Sequence, residues 1–394
     1  MRLAAMISGT SHDAIDVAVA EVWAEGDELL LCPLGTTAVP FAAELRQRIV
    51  DVLPPQTTEL EEVCRLDALL GQAFGEAAAG AIEELAGGHV DLVVSHGQTV
   101  FHLVVDGRAE STLQLGQPAW IAERTGAPVL ADLRSRDIAA GGHGAPLVSL
   151  VDALLLGRPD VAEVALNLGG ISNITVVGPV HPPLAYDVGP ANALIDAAIS
   201  RSTGGVERYD RGGARAARGQ VDDVLLDRLL AEPYYALAPP RSTGKELFHP
   251  GYLDAVLAAH ETTVTIDDLL ATLVELTART VADACRSHGA RRVVAAGGGV
   301  NNPVLMDRLA RHLAGAELTT IDALGLPSDA KEAYAFAVLG FLSVNGVPGA
   351  LPSCTGARRA SVLGALLPGA DGRLPAPGVP AGWHPTRLRV EAAT

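Results

Sequence analysis

The sequence predicts an α/β protein built as two similar halves, each a mixed sheet with flanking helices. Three observations carry this. At roughly 150 residues per domain, a 394-residue chain makes two or three domains. Short apolar runs closed by Gly, Ser, Thr or Asn turns alternate with longer stretches of helical period. A series of three strands followed by alternating helices and strands occurs twice, which reads as duplication at domain scale.

In order, residues 3–7, 15–23 and 28–38 read as strands, separated by the polar turns 8–11 and 24–27. Helices follow at about 40–53 and 58–86, the second with Leu66, Leu69, Leu70, Ala73 and Phe74 on one face. The apolar run 90–94 ends at Ser95-His96-Gly97 as a buried strand would, and strand 113–115, helix 117–125 and strand 127–131 complete the half. The Gly-rich stretch 139–146 is the best candidate linker. Strands 161–168, 171–177 and 184–187 then restart the pattern. Helices follow near 190–201, 219–231, 250–259 and 266–287, then strand 291–296, helix 302–313, strand 316–321 and helix 328–343. From residue 367 Pro, Gly and Ala dominate, so the tail is expected to be irregular surface.

Composition narrows the function class. Hydrophobic residues make up 48% and charged residues 19%, enough apolar material for large cores and against disorder as the dominant state. A net charge of −17 argues against a nucleic-acid binder. Cys32, Cys64, Cys285 and Cys354 are far apart and lack metal spacing, so reduced thiols in a cytoplasmic protein are expected. Residues 3–7 are too short for a secretory apolar core. The apolar run 333–344, about 12 residues, falls short of the ~20 of a membrane helix. Of the 29 basic residues only Lys245 and Lys331 are lysines.

Several common entry points to catalysis are missing. Pro239 stands where a phosphate loop ending at Gly244-Lys245 needs its first glycine, Asn302 breaks GxGxxG after Gly297, and neither GxSxG nor HExxH occurs. What remains is a set of polar turns at strand ends. Ser8-Gly9-Thr10-Ser11-His12-Asp13 offers backbone N–H groups and hydroxyls to a phosphate, with an acid close by for Mg²⁺; an ordinary hairpin turn is the plain alternative. Asn167-Leu168-Gly169-Gly170-Ile171-Ser172-Asn173 holds the equivalent place in the second half. Gly297-Gly298-Gly299 is flat enough to lie against a nucleotide, with Asn301 and Asn302 as candidate helix caps, or it merely fits a tight turn. Asp187, at a strand end before a helix, is a candidate general base or else a capping aspartate. Ser95-His96-Gly97-Gln98-Thr99 is a candidate sugar-binding loop. Arg134 or Arg136 can recognise a carboxylate, with exposed ion pairs as the alternative.

Taken together, these segments resemble the anhydro-N-acetylmuramic acid kinase family of the actin/hexokinase/Hsp70-like ATPase superfold. The resemblance covers residues 1–366 and runs through Met6–Val17, 95–99, 141–147, 167–173, 187–192, 239–246, 297–299, 329–333 and 352–357 in order. It implies a two-lobed actin-like (ribonuclease H-like) fold, with lobe I spanning 1–135 joined by 345–394 and lobe II spanning 136–344. ATP and Mg²⁺ would lie in a cleft that closes to exclude water. Asp187 would activate a water to open the anhydro bridge of 1,6-anhydro-N-acetylmuramic acid, and the freed O6 would take the γ-phosphoryl group. ATP would be held by Gly9, Thr10, Ser11, His12, Asp13, Ala14, Ile15 and Asp16, by Gly169, Gly170 and Asn173, and by Gly297, Gly298, Gly299, Asn301 and Asn302. Asp13 and Asp16 would serve Mg²⁺, directly or through water. The sugar would meet Ser95, His96, Gly97, Gln98, Thr99, Arg134, Asn192 and Glu332. The family also implies a homodimer. The chain departs from the family pattern at His12, Ala14, Leu133, His143, Val188 and Ala191. A kinase of another anhydrosugar such as levoglucosan, or a sugar- or nucleotide-binding protein of the same fold, stays open beside this reading.

Overall fold

The computed structural model describes residues 1–9, 12–157, 160–179, 182–244 and 247–392. It divides into two compact units, Met1–Leu155 with Leu324–Thr394, and Leu156–Ala323. The first part of unit 1 contains β1 (Arg2–Ser8), β2 (Ala14–Glu25), β3 (Glu28–Pro40), α1 (Ala43–Val52), α2 (Leu60–Ala86), β4 (Leu92–Val105), β5 (Arg108–Leu115), α3 (Pro118–Thr125), β6 (Val129–Ala131), α4 (Ser135–Ala139) and α5 (Ser149–Leu156), whose last residue crosses the division. Unit 2 holds β7 (Glu163–Leu168), β8 (Ile171–Val177), β9 (Leu184–Pro190), α6 (Asn192–Ser202), α7 (Asp223–Leu230), α8 (Pro250–Ala258), α9 (Ile266–Ser287), β10 (Arg292–Ala296), α10 (Pro303–His312) and β11 (Glu317–Thr320). The chain returns to unit 1 for α11 (Lys331–Val344), α12 (Pro352–Thr355), β12 (Ala365–Leu367) and β13 (Arg387–Val390).

The duplication is explicit in the strand order. Unit 1 orders its central strands β3-β2-β1-β4-β6, and unit 2 orders its sheet β9-β8-β7-β10-β11. In each, two antiparallel pairings are followed by two parallel ones. The repeat follows from chain connectivity. Short turns can join only antiparallel neighbours, whereas the parallel neighbours are reached through helical crossovers.

In unit 1, helix α2 covers one sheet face with Leu66, Leu70 and Phe74 against Ala4, Met6, Val17, Val19 and Val93. Helix α11 covers the other and approaches so closely at Gly340 that a Cβ there would strike Val94. In unit 2, α9 supplies Leu270, Leu273, Val274, Leu276 and Val281 to a core shared with β7, β8 and β9. Its start is set by Thr265, whose hydroxyl accepts from the backbone N–H of Asp268.

Four expectations need correction. The division falls at 155/156 and 323/324, not at 135/136 and 344/345, because α4 and α11 pack on strands of the sheet of unit 1. The Gly-rich stretch 139–146 is not a linker. Its backbone bonds to the α12 region, with His143 N–H donating to the Thr355 carbonyl and Arg358 N–H to that of Ala140. The apolar run 90–94 is the buried start of a 14-residue strand whose far end, with β5, forms a two-stranded arm. The tail is also not wholly irregular. β13 adds in parallel to β3 and buries Leu388, while Trp383 donates its indole N–H to the Gly26 carbonyl. Its Pro-rich approach hid a four-residue strand whose pairing partner lies more than 350 positions earlier.

Candidate functional site

In unit 2 the polar residues gather where β7, β8 and β9 run side by side. Asn167 stands opposite Asn173, and Asn173 opposite Asp187, forming a polar row across three strands. β9 continues to Pro190, three residues past Asp187, and the cap position of α6 is Ala191, so Asp187 is not a helix cap. Its carboxylate Oδ2 accepts from the Ser242 hydroxyl at 2.9 Å and the Thr243 N–H at 3.0 Å. Its carbonyl accepts from the Tyr234 hydroxyl at 2.7 Å. The Arg241 guanidinium bonds the carbonyls of Tyr234, Tyr235 and Leu237 and lies 4.9 Å over the Tyr234 ring. The segment after Tyr235 is therefore tied down beside the carboxylate. Val188 and Ala191, two departures from the family pattern, are buried in the core of unit 2. Val188 points to the opposite sheet face from Asp187, as alternation along a strand demands.

The Gly169-Gly170 turn is turned toward α6. The carbonyl of Gly170 accepts from the N–H groups of Ala191 and Ala193, that of Gly169 from Asn192, and the Asn192 side chain adds bonds to the carbonyls of Leu168 and Gly169. Asn192, expected at the sugar, thus braces this turn. In the triple glycine, Gly297 has φ of 86° and a Cβ there would lie 2.6 Å from Asn167 Oδ1, while one on Gly299 would meet Leu168. Only Gly298 faces open space. Asn302 caps α10 through Val304 and Leu305 N–H, while Asn301 is exposed.

In unit 1 the candidate phosphate turn joins β1 to β2. Thr10 and Ser11 lie outside the described residues, as does Lys245 in unit 2. A Cβ on Gly9 would meet nothing within 4 Å. Among the described residues of this turn the left-handed position is His12, with φ of 55°, and Ala14 is not among the positive-φ residues, so its methyl group imposes no strain there. Asp13 pairs with Arg46 at 2.9 Å. Ile15 enters the core under α2, so its side chain makes no part of a ligand surface. Asp16 is half-buried, and its carboxyl is pushed up to about 6, first by burial and then by the charges of Glu332 and Asp329.

The expected sugar loop is mostly internal. Gln98 is 1% exposed and accepts the Ser8 hydroxyl at 2.6 Å, tying β4 to β1. Thr99 accepts from Gln114 of β5, Ser95 is buried, and a Cβ on Gly97 would strike the Leu115 carbonyl. His96, 3% exposed, accepts the Arg134 Nε–H at 2.8 Å, and Arg134 Nη1 donates to the Gly144 carbonyl. Arg134 is half-buried. Glu332, in the first turn of α11, is exposed to solvent. Desolvation raises its carboxyl pKa, and Arg134 and Lys331 oppose the shift.

Some partners carried no role in the sequence reading. Ser242 and Thr243 hold Asp187. Lys331 forms a buried 2.6 Å ion pair with Asp152 of α5, beside Glu332. Asp137, fully buried, takes the Gly144 N–H and the Thr355 hydroxyl. All but Asp152 and Asp137 lie inside segments of the family resemblance, which was the one available signal. Spacing held none, since these pairs are up to 218 positions apart.

A family model described as anhydro-N-acetylmuramic acid kinase matches residues 1–369. The anhydro-N-acetylmuramic acid kinase of Streptomyces coelicolor is 56% identical over 391 residues, 99% of each chain. That of Rhodococcus erythropolis is 51% identical over 399 residues, covering all of both chains. Among solved structures, a ROK family glucokinase from Streptomyces griseus in complex with glucose and AMPPNP aligns over 86% of this chain and 99% of its own, at 14% identity and a TM-score of 0.34. By the family match and these full-length relatives, the chain belongs to the anhydro-N-acetylmuramic acid kinase family.

Proposed function

We propose that this protein is an ATP-dependent kinase that opens 1,6-anhydro-N-acetylmuramic acid and phosphorylates O6, giving N-acetylmuramic acid 6-phosphate and ADP. Family membership over almost the whole chain supports the activity. The observation that carries the chemistry is Asp187, an aspartate set in a polar row and oriented by a hydroxyl and a backbone N–H on one carboxylate oxygen. That arrangement holds and orients the carboxylate, as a general base must be held. Asp187 takes a proton from water as the water oxygen bonds to the anomeric carbon. The bond from that carbon to O6 breaks, O6 displaces ADP from the γ-phosphorus, and one water is consumed per phosphoryl group transferred.

Gly9, Gly298 and the turn around His12 are the backbone surfaces we assign to ATP, with Gly169, Gly170 and Asn173 shaping the second turn. Arg134 is assigned to the lactyl carboxylate and Glu332 to the sugar hydroxyls. For Mg²⁺, Asp16 fits better than Asp13. The Asp16 carboxyl is raised first by burial and then by the negative charges of Glu332 and Asp329, which a divalent cation would relieve, whereas Asp13 already pairs with Arg46. Among the described residues there is no group of three or more His, Cys, Asp or Glu side chains that could hold a metal ion. When bound, Mg²⁺ neutralises charge on the phosphoryl oxygens.

We also read the protein as a cytoplasmic homodimer. Free cysteines and the lack of any helix long and apolar enough to cross a membrane, both among the described residues, support the first part. The exposed Phe101, Leu103 and Leu113 of the β4–β5 arm support the second, and light scattering measures it. The deciding assay supplies Mg²⁺-ATP and the anhydro-muramic sugar and looks for its 6-phosphate. No product, with efficient conversion of levoglucosan, overturns the substrate.

A further inference from the structure

We propose that His96 is a positioning residue for Arg134. Its neutral imidazole holds the guanidinium so that the free edge takes a carboxylate, which sets the preference for an acidic over a neutral anhydrosugar. The proposal rests on Arg134 as the carboxylate ligand and reassigns His96, which was expected to touch the sugar itself.

The hydrogen bonds determine the protonation state. Arg134 Nε can only donate, so His96 Nε2 at 2.8 Å must carry a lone pair. The ring proton then sits on Nδ1, which donates to the Gly97 carbonyl at 3.1 Å. Burial and the Arg134 charge agree with this, pushing the imidazole pKa down to about 3. Gly144 fixes a second corner, its carbonyl accepting Nη1 at 3.1 Å. That carbonyl cannot drift, because the Gly144 N–H is held by the buried Asp137 carboxylate, itself bonded by Thr355. Behind the imidazole the Phe336 ring packs at 4.9 Å. Phe336 is one turn along α11 from Glu332, so the helix that aims Glu332 also backs His96.

Of the five guanidinium N–H groups two are then used. Nη2 makes no hydrogen bond among the described residues, and with the second proton of Nη1 it forms an edge suited to a bidentate carboxylate. The choice of a neutral acceptor matters. A carboxylate in place of His96 would hold the guanidinium as firmly but cancel its charge. Without any acceptor, the guanidinium is released toward Glu332, the carboxylate that already acts on it. A neutral histidine keeps Arg134 charged and pointed away from its own protein's carboxylate.

The test compares kcat/KM for anhydro-N-acetylmuramic acid with that for its lactyl amide, the same sugar without the negative charge. Wild type is expected to favour the acid by about 30-fold, the discrimination a desolvated bidentate pair supplies. His96→Asn can still reach the Gly97 carbonyl but places no acceptor at Nε2, and is expected to cut that preference by about tenfold, the loss falling in KM for the acid. His96→Gln, whose Oε1 can stand in for Nε2, is expected to restore it to within about threefold of wild type. His96→Leu serves as a second variant should His96→Asn fold poorly. A preference unchanged in His96→Asn and His96→Leu overturns the proposal, as does an equal loss on both sugars. If wild type and Arg134→Gln show the same ratio, the carboxylate role of Arg134 fails instead.

Discussion

Replacing Asp187 with Asn removes the base and little else. The carboxylate accepts two hydrogen bonds on Oδ2, from Ser242 Oγ and Thr243 N, and the amide oxygen of asparagine can accept both. Bonds to a charged acceptor contribute about 1.5–3 kcal/mol and neutral ones about 0.5–1.5, so the two together weaken by about 2 kcal/mol. For a unit of this size that lowers Tm by roughly 4–8 °C, a shift the fold survives. Loss of a positioned base costs roughly 10²–10⁴ in rate. Coupled ADP release should therefore fall by at least about a hundredfold while ATP affinity, measured by calorimetry, stays at the wild-type value. Ser242→Ala keeps the base and loses one of the hydrogen bonds that orient it, and about tenfold in kcat is expected from one such bond. Asp187→Asn with kcat within threefold of wild type refutes the assignment. So does a Tm that collapses together with ATP binding, because Asp187 would then be structural.

Lys331→Met strips the cation from the buried pair with Asp152 and should cost about 3–5 kcal/mol in denaturant unfolding. Lys331→Arg should also lose stability and kcat, because a planar guanidinium must enter a place packed around a compact ammonium; unchanged values return this lysine to chance usage. Asp16 has its folded pKa raised above the unfolded value of 3.8 to about 6. Its contribution to stability is therefore fully present below the unfolded value and lost as pH rises through 6. Without metal or nucleotide, Asp16→Asn should raise Tm at pH 8 and have almost no effect at pH 4, and thermal melts across that range decide it. Leu388→Ala, at the buried position of the tail's strand, should cost about 2–5 kcal/mol; a variant as stable as wild type would mean that β13 does not stay docked on β3.

Much of the fold was legible because it is local. Apolar runs of strand length, Gly and Asn turns and a 3.6-residue period marked nearly every helix and central strand, and the repeated pattern foretold two sheets of equal order. The helix read near 266–287 is α9, Ile266–Ser287, and the structure shows Thr265 capping it with Asp267 and Asp268 in its first turn. Where the reading missed, the deciding contact was distant. The Gly-rich stretch looks like a linker in one dimension and is a built loop only because Asp137 and the α12 region grip it. The tail looks irregular until β3 offers it an edge.

The candidate residues divide in the same way. Sequence alone determined which residue types carry chemistry, and with the family resemblance it singled out Asp187, Arg134 and Glu332. Only the tertiary structure decided what each side chain touches. Gln98, Asn192 and Asn302 turned out to hold turns and strands together, Ile15 to fill the core, and His96 to hold an arginine. The physical reason is that a polar side chain buried on folding must find a partner, and that partner is rarely a neighbour in sequence. Composition marked two lysines as unusual; the fold put one of them, Lys331, against Asp152 beside Glu332, where burial makes its charge count.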